Sequence, residues 1–539
     1  MTHIIVPIFG ESIESIRDDI ATAVERGATM IELRLDRMPD IPDEQLLAFA
    51  EKPPADVPIL LTYRRAAEGG DDTATDESRL ERLENLSQMA DFFDVEWHTF
   101  AQSNRNQTLI DAAIHGSDAI SGSCGVEAIE RGQRRSLILS KHDMKTRPAG
   151  LQGDLLRMAD AAAGDVVKLA WRARSVRDNF EAFELLRIAP KPAITICMGE
   201  DGLISRVLAR KFRAFGTFAA LRSGFESAPG QLTILELRDR FRWDTINDRT
   251  RVYGLIGDPV KHSLSPDVHN SVFAERNLNA VYVPLHVAAG VESFKAFMVE
   301  VLARPWLDFS GFSVTLPHKE NAYRFLKERG DRLDALAERC GAVNTISVLP
   351  DGTLQGWNTD CEACADVLEA SVDSAKALKG SRILILGAGG AARAAVVGLK
   401  SRGANPVIAN RTSGRAKSLA GEHGCEWMEW TDRIHAAPDM IVNCTPIGMS
   451  PDVSESPMPP ASILPGTIVF DLVYNPLQTR LLTEAAKGGC RTVDGLSMFI
   501  QQAAAQSRIW TGHAPALETV RGVAEKALER RRLSESRSG

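Results

Sequence analysis

An α/β protein in two successive parts, an N-terminal (β/α)8 barrel followed by a two-domain module with a dinucleotide-binding unit, is predicted by three observations. Eight short apolar or alternating runs recur with helical segments between them over about the first 220 residues, the pattern of a closed parallel barrel. The stretch from Ile383 to Leu399, ILILGAGGAARAAVVGL, passes from apolar residues through glycines into an Ala-rich segment. That is a strand, a tight turn and a helix. Finally, a chain of 539 residues exceeds what one hydrophobic core serves, so roughly two to four domains are expected.

Hydrophobic residues make up 44% of the chain and charged residues 25%, the balance of an ordinary globular protein. The formal net charge of -8 leaves no basic excess to neutralise phosphates, which speaks against nucleic-acid binding. The start, MTHIIVPIFGESIE, has no basic segment, and its apolar run is too short for a signal peptide or a membrane span. A cytoplasmic protein with no membrane partner is therefore expected. Eight scattered cysteines do not read as a disulfide framework. Cys361 and Cys364 form a C-x-x-C, but no second pair or histidine cluster completes a zinc site, so both are read as packing residues and no metal is expected. The polar tail ALERRRLSESRSG is expected to fray.

In order, the predicted barrel strands are IIVPIF, MIELRLD, PILLTYR, FFDVEWH, SLILSKHD, DVVKLAW, AITICMG and TFAALRS. In MIELRLD, Ile31, Leu33 and Leu35 alternate with Glu32, Arg34 and Asp36, so a period of two turns one set to the surrounding helices and the charged set into the barrel. Arg64 ends the third strand with Glu68 just beyond it, Asp94 and Glu96 point inward from the fourth, and His142 ends the fifth. Lys168 sits inside the apolar run VVKLAW, where desolvation disfavours the ammonium form and makes a nucleophilic amine available. Singly, each is equally well a structural ion pair. Together they outline a Schiff-base site: one lysine, one histidine as acid and base, and Arg and Glu around them.

These segments, with SRVLARKFRAFGT and SAPGQ after them, resemble in order the signature runs of type I 3-dehydroquinate dehydratase over roughly residues 1 to 240. The resemblance implies that Lys168 forms an imine with the substrate's C3 carbonyl and that His142, oriented by Glu68, moves the protons. It further implies that Glu32, Arg34, Arg64 and Arg206 hold hydroxyls and carboxylate, and that Ser227 and Gln231 close over the substrate. The run DMKTRPAG after His142 departs from the family's usual aromatic residue and Thr-Pro.

A charged, polar run, RDRFRWDTINDRTRVYG, follows, and the boundary is placed near Asp244. VYGLIGDPVKHSLSPDVHN then offers Ser263 and Ser265 on a turn before a helix, where two hydroxyls either cap the helix or hold a carboxylate. FSVTLPHKE contains Thr315 and places Lys319 just past Pro317, AVNT supplies Asn344, and GWNTD places Asp360 before a helix. A lysine beside a carboxylate supplies or takes the proton that must match a hydride transfer.

In the glycine-rich stretch Gly387 allows the turn, Gly389 lets backbone approach a pyrophosphate, and small Ala392 lets the helix pack on its strand. The helix N-terminus offers amide hydrogens to phosphate. At the end of the next strand, NPVIANRT, stand Asn410, Arg411 and Thr412, with Arg415 one turn on, in place of the acidic residue that would bind the ribose of NAD. No carboxylate repels a phosphate there, and a guanidinium suits one, so NADP is favoured.

With NCTPIGM, DLVYNP and DGLSMFIQQAA, this second part resembles shikimate dehydrogenase over about residues 250 to 530. The resemblance implies that Ser263 and Ser265 bind the shikimate carboxylate, that Thr315, Asn344 and Gln502 hold ring hydroxyls, and that Lys319 and Asp360 are the catalytic pair. It sets Tyr474 and Met498 near the nicotinamide and adds Gly390, Ala391, Thr445, Met449 and Gly495 to the cofactor contacts. Three domains are expected: the barrel at 1–244, a shikimate-binding domain from 250–359 and 495–539, and a Rossmann NADP-binding domain at 360–494. The whole chain resembles the fused dehydratase and dehydrogenase of plants, with 3-dehydroquinate, 3-dehydroshikimate and shikimate as its small-molecule partners. Two alternatives are a quinate dehydrogenase with a degenerate barrel and a non-catalytic sensor. Ser263 and Thr315 weigh against the first, and Lys168, His142, Lys319 and Asp360 against the second.

Overall fold

The computed structural model describes residues 1–50, 55–115, 135–261, 263–372 and 378–538, the last six by their backbone alone. The chain divides into two compact units, Met1–Thr250 and Arg251–Gly539.

The first unit is the barrel, built from β1 (His3–Ile8), β2 (Met30–Arg34), β3 (Ile59–Thr62), β4 (Phe92–Glu96), β5 (Ser136–Asp143), β6 (Val166–Arg172), β7 (Ala193–Met198) and β8 (Gly216–Phe218). Neighbours pair in parallel in the order β7-β6-β5-β4-β3-β2-β1-β8. The Phe215 amide donates to the Ala193 carbonyl at 2.8 Å, which brings the two ends of the sheet together. Runs such as ILLT and AITICM are buried throughout, as strands covered on both faces require. Intervening helices begin at capping hydroxyls, Ser12 accepting from the Ser15 amide and Thr75 from that of Ser78.

Met30, Leu60, Ile138, Val166 and Phe218 share one apolar cluster. A period of two then puts Glu32, Thr62, Ser140 and Lys168, each two residues later, on the same face. All four are buried. The barrel thus carries an apolar layer beneath a polar one, with the polar layer toward the C-terminal strand ends. Four strands, β2, β3, β4 and β8, are shorter than the predicted runs: the third ends at Thr62, two residues before Arg64, and the fourth at Glu96, where the helix Trp97–Gln102 begins. After Arg34 the chain enters a 3-10 turn at Leu35–Arg37, where Asp36 takes two bonds from the Arg34 guanidinium. After Phe218 it leaves the sheet, and Ala220 bridges to Thr233.

The second unit contains two sheets. β9 (Arg251–Gly257), β10 (Ala280–His286), β11 (Phe309–Val314), β12 (Arg332–Leu333), β13 (Thr345–Val348) and β14 (Leu354–Trp357) form a mixed sheet in the order β10-β9-β11-β13-β14-β12. β15 (Arg382–Leu386), β16 (Asn405–Asn410), β17 (Glu426–Glu429), β18 (Met440–Asn443), β19 (Ile468–Asp471) and β20 (Arg491–Val493) form a parallel sheet in the order β17-β16-β15-β18-β19-β20. That is the doubly wound order, whose ligand crevice opens where the order reverses, between β15 and β18. The helix Thr359–Ser371 leads from the first sheet to the second, and Gly495–Thr511 leads back.

The tail departs from the expectation of fraying. Leu517–Ser538 is one helix, and Ala527 is 2% exposed. Val520, Ala524 and Ala527 recur at helical spacing and pack with Leu264, Val268 and Ile500, an apolar stripe that the surrounding charge conceals in composition. Cys361 and Cys364 are buried and free. Among the described residues, no helix is long and apolar enough to cross a membrane and no group of side chains is arranged to hold a metal.

Candidate active sites

At the C-terminal ends of the barrel strands one cavity is lined by Glu32, Arg34, Arg64, Glu68, His142, Lys168, Arg206, Ser227 and Gln231, while Asp36, Asp94 and Glu96, also read from the sequence as inward-facing, are buried outside its lining. Lys168 Nζ donates to Asp94 Oδ2 at 2.8 Å and lies 4.2 Å from the centre of the Phe218 ring. Asp94 is fully enclosed and also accepts from Ser140 Oγ at 2.6 Å, while Arg64 Nη2 stands 2.8 Å away. Burial raises the Asp94 carboxyl, but Arg64 and Lys168 outweigh it and hold its pKa well below the usual range. Burial lowers the Lys168 ammonium, with Asp94 opposing and Arg64 assisting. The lysine is thereby eased toward its amine.

His142 is fixed from one side. Glu68 Oε2 accepts from its backbone amide at 2.8 Å and lies 3.1 Å from Nδ1. Burial, then Arg64 and Lys168, push the imidazole well below its ordinary pKa, so the ring is neutral at pH 7. Burial pushes Glu68 up to about 7 against the pull of Arg64. Two donors in this cavity are underused. Arg206 is 2% exposed; among the described residues its guanidinium donates only to the Phe218 and Pro229 carbonyls, at 3.5 Å, and its Nε has no partner. Gln231 accepts from the Ser227 amide at 2.7 Å, while its own Nε2 has no acceptor among the described residues. A buried guanidinium and amide left without good acceptors are a binding surface for an anionic ligand.

The second unit holds a larger cavity, of about 480 Å3, with Ser263, Ser265, Thr315, Lys319, Asn344, Asp360, Tyr474 and Gln502 around it. Gly389, Gly390, Ala391, Gly495 and Met498 line it as well. Lys319 Nζ donates to Asp360 Oδ2 at 2.7 Å. Asn344 is held by neighbours, its Nδ2 donating to Thr359 Oγ1 at 2.9 Å and its Oδ1 accepting from the Thr359 amide at 2.9 Å. Ser263 and Ser265 lie with their hydroxyls 3.2 Å apart, and Ser263 Oγ accepts from the Ser265 amide at 3.2 Å. Neither serine is the N-cap of the helix, which is Leu264 without a side-chain cap bond; Ser263 Oγ ties the turn, and both serines line the cavity.

Gly387, Thr445, Met449 and the Asn410 to Arg415 group lie outside that lining. Gly387 follows β15 with φ of 112°, and a Cβ there would stand 3.3 Å from the Thr445 side chain, which follows β18. These two residues therefore flank the point where the strand order reverses. Asn410 Nδ2 donates to the Thr412 carbonyl at 3.0 Å, and Met449 is 46% exposed. Arg411 and Arg415 are exposed, and neither forms an ion pair among the described residues. A dinucleotide fits these surroundings. A Cβ on Gly389 would meet nothing within 4 Å, so backbone is open to a ligand, and no side chain caps the helix Gly390–Ser401.

Two lining residues, Gln506 and Met144, and one pairing, Asp94 with Lys168, were not read from the sequence. Gln506 is 1% exposed, accepts from Ser313 Oγ at 2.8 Å and donates to Thr345 Oγ1 at 3.0 Å. It lies one helical turn after Gln502, and that spacing is the signal that would have found it. Met144 lines the barrel cavity from the run that departs from the family pattern, against Gly69. Asp94 was placed inside the barrel by period two, but nothing in the sequence pairs it with Lys168.

Both units match families of known proteins. A family model described as type I 3-dehydroquinase matches residues 4–248, the shikimate dehydrogenase substrate binding domain 255–346, shikimate / quinate 5-dehydrogenase 369–446, and the shikimate 5'-dehydrogenase C-terminal domain 495–525. The chain is 37% identical over 527 residues to the chloroplastic bifunctional 3-dehydroquinate dehydratase/shikimate dehydrogenase of Arabidopsis thaliana, covering 94% of this chain and 82% of that one. It is 40% identical over 292 residues to the shikimate dehydrogenase (NADP(+)) of Moorella thermoacetica, covering 52% of this chain and 94% of that one. Among solved structures, the shikimate 5-dehydrogenase of Thermus thermophilus in complex with NADP(H) and shikimate is 34% identical, covers 52% of this chain and 100% of its own, and superposes with a TM-score of 0.46. The chain belongs to the family of bifunctional 3-dehydroquinate dehydratase/shikimate dehydrogenases.

Proposed function

We propose that the barrel dehydrates 3-dehydroquinate to 3-dehydroshikimate and that the second unit reduces 3-dehydroshikimate to shikimate with NADPH. One observation carries this reading: each unit encloses a lysine bonded to a carboxylate inside its own cavity, at Lys168 and Asp94 and at Lys319 and Asp360. We divide the chain accordingly into the barrel at 1–244, a substrate domain from 250–359 and 495–539, and a nucleotide domain at 360–494.

In the barrel, the Lys168 amine attacks the C3 carbonyl and water leaves, giving an imine. Asp94 faces the resulting cation as it faces the ammonium. His142, neutral and steadied at Nδ1 by Glu68, takes the proton from C2 and returns one to the hydroxyl that departs as water, after which water adds to the imine and releases 3-dehydroshikimate and the Lys168 amine. Arg206, Arg34, Arg64 and Glu32 hold the carboxylate and hydroxyls, and Ser227 and Gln231 close the site. Burial matters because it keeps the histidine neutral and lowers the cost of deprotonating the lysine.

In the second unit, Ser263 and Ser265 donate to the substrate carboxylate, while Thr315, Asn344, Gln502 and Tyr474 hold the ring. Lys319 gives a proton to the carbonyl oxygen and Asp360 steadies the lysine. NADPH, when bound, supplies the hydride. Gly387, Gly389, Gly390 and Ala391 would take its pyrophosphate, Asn410, Arg411, Thr412 and Arg415 its 2′-phosphate, and Thr445, Met449, Gly495 and Met498 its nicotinamide half.

Borohydride reduction in the presence of 3-dehydroquinate tests the first half of this reading. It should trap a covalent adduct whose mass maps to Lys168. An adduct on another lysine, or none, refutes the assignment.

A further inference from the structure

The final helix has an attachment that the reaction described above does not use. Its apolar stripe closes the cluster in which Leu264 is fully buried, and Leu264 is the residue between Ser263 and Ser265. One turn beyond Ala527, Arg531 Nη2 donates to the Ser263 main-chain carbonyl at 2.6 Å. Asp267, in the helix that Ser265 opens, stands 3.5 Å from Arg531 and accepts from Arg530 at 3.1 Å. The serine turn is thus gripped at its middle by packing and at its first residue by a charged donor, which makes the stronger class of hydrogen bond.

We infer that Arg531 is a positioning residue for shikimate binding, fixing through the Ser263 peptide the two hydroxyls that meet the substrate carboxylate. A carbonyl turned to the guanidinium sets the plane of the Ser263–Leu264 peptide, and that plane aims both side chains. The positive charge also suits a site for an anion, and it reaches Tyr474 on the cavity wall, where it opposes the rise that burial gives the phenol. Arg531 lies beyond residues 495–525, the span matched by the C-terminal domain model, so this grip comes from a part of the chain outside that model. The inference rests on the assignment of Ser263 and Ser265 to the carboxylate.

Full-length Arg531→Ala, Arg531→Lys and Ser265→Ala are compared in steady-state shikimate oxidation with NADP, with 3-dehydroquinate dehydration measured on the same samples. Arg531→Ala should raise KM for shikimate about two- to tenfold, the loss of one hydrogen bond, while kcat, KM for NADP and dehydration stay within about twofold. Arg531→Lys should recover part of the loss. If Arg531→Ala does not fold, Arg531→Gln takes its place with the same expectation. An unchanged KM in the arginine variants beside a raised one in Ser265→Ala overturns the inference and leaves the serine assignment standing. So does a joint loss of kcat and NADP affinity, which would make Arg531 a general support of the fold. Should Ser265→Ala itself leave KM for shikimate unchanged, the carboxylate assignment fails and the inference falls with it.

Discussion

Glu68 is a carboxyl held by burial at a pKa of about 7, beside a histidine that burial keeps neutral. Its folded-state value lies above the ordinary 4.5, so between pH 4.5 and about 7 the folded chain holds a proton that the unfolded chain releases, and this group's contribution to stability falls as pH rises through that window. Catalysis runs the other way, because the ionised carboxylate is the stronger acceptor for His142 Nδ1 and stabilises the charge that the imidazole gains when it takes a proton. The dehydratase kcat/KM should therefore rise through a pKa near 7, and Glu68→Gln should remove that step from the pH profile and lower the plateau. An unaltered profile in the variant would place the titration elsewhere. At the other end of the chain, Arg411 is exposed and free of ion pairs among the described residues. A charge-assisted bidentate contact to a 2′-phosphate is worth roughly 1.5 to 3 kcal/mol, about ten- to 150-fold in affinity. Arg411→Ala should raise KM for NADP by a factor in that range and leave KM for NAD little changed, as steady-state comparison of the two cofactors would show. Residues of this kind were legible in the sequence because a charge in an apolar strand, or an arginine where an acid is usual, breaks a pattern. Met144 breaks none, and Gln506 is signalled only by its one-turn spacing from Gln502, so their place in the cavities comes from the fold.

At the level of elements, the strands announced themselves through apolar runs and period two, and the turn at Gly387 through its glycines. What composition hid was contact between helices. Gly398, within Gly390–Ser401, approaches Thr359–Ser371 so closely that a Cβ would stand 2.0 Å from the Cys361 carbonyl oxygen. The sequence marks Ala392 for close packing, and Ala392 is indeed buried in the core beside Ile383 and Ile385. It says nothing of Gly398, because closeness to another helix leaves no local periodicity. Gly398→Ala should destabilise the second unit by about 1 to 3 kcal/mol through overpacking, despite the better helix propensity of alanine. Urea denaturation followed by loss of NADP-linked activity would register this as a lower midpoint, and an unchanged midpoint would mean that the two helices part at little cost. The last helix is the converse case, in which a polar tail conceals a stripe of Val520, Ala524 and Ala527.

For the molecule as a whole, two compact units each carry their own set of candidate catalytic groups, and among the described residues no group lining one cavity lines the other. The motifs of both units were legible in order along the chain. Their pairing into Lys168–Asp94 and Lys319–Asp360 required long-range contacts, spanning 74 and 41 residues. Two units that perform successive reactions with separate machinery must be separable by a single substitution. The direct test supplies full-length protein with 3-dehydroquinate and NADPH and follows the unsaturated product and NADPH by absorbance, for the wild type and for Lys168→Ala. The wild type should form the dehydration product and consume NADPH. Lys168→Ala should consume none from 3-dehydroquinate, yet reduce added 3-dehydroshikimate at a rate near wild type. Loss of both activities in that variant, or NADPH consumption from 3-dehydroquinate without Lys168, would contradict that separation.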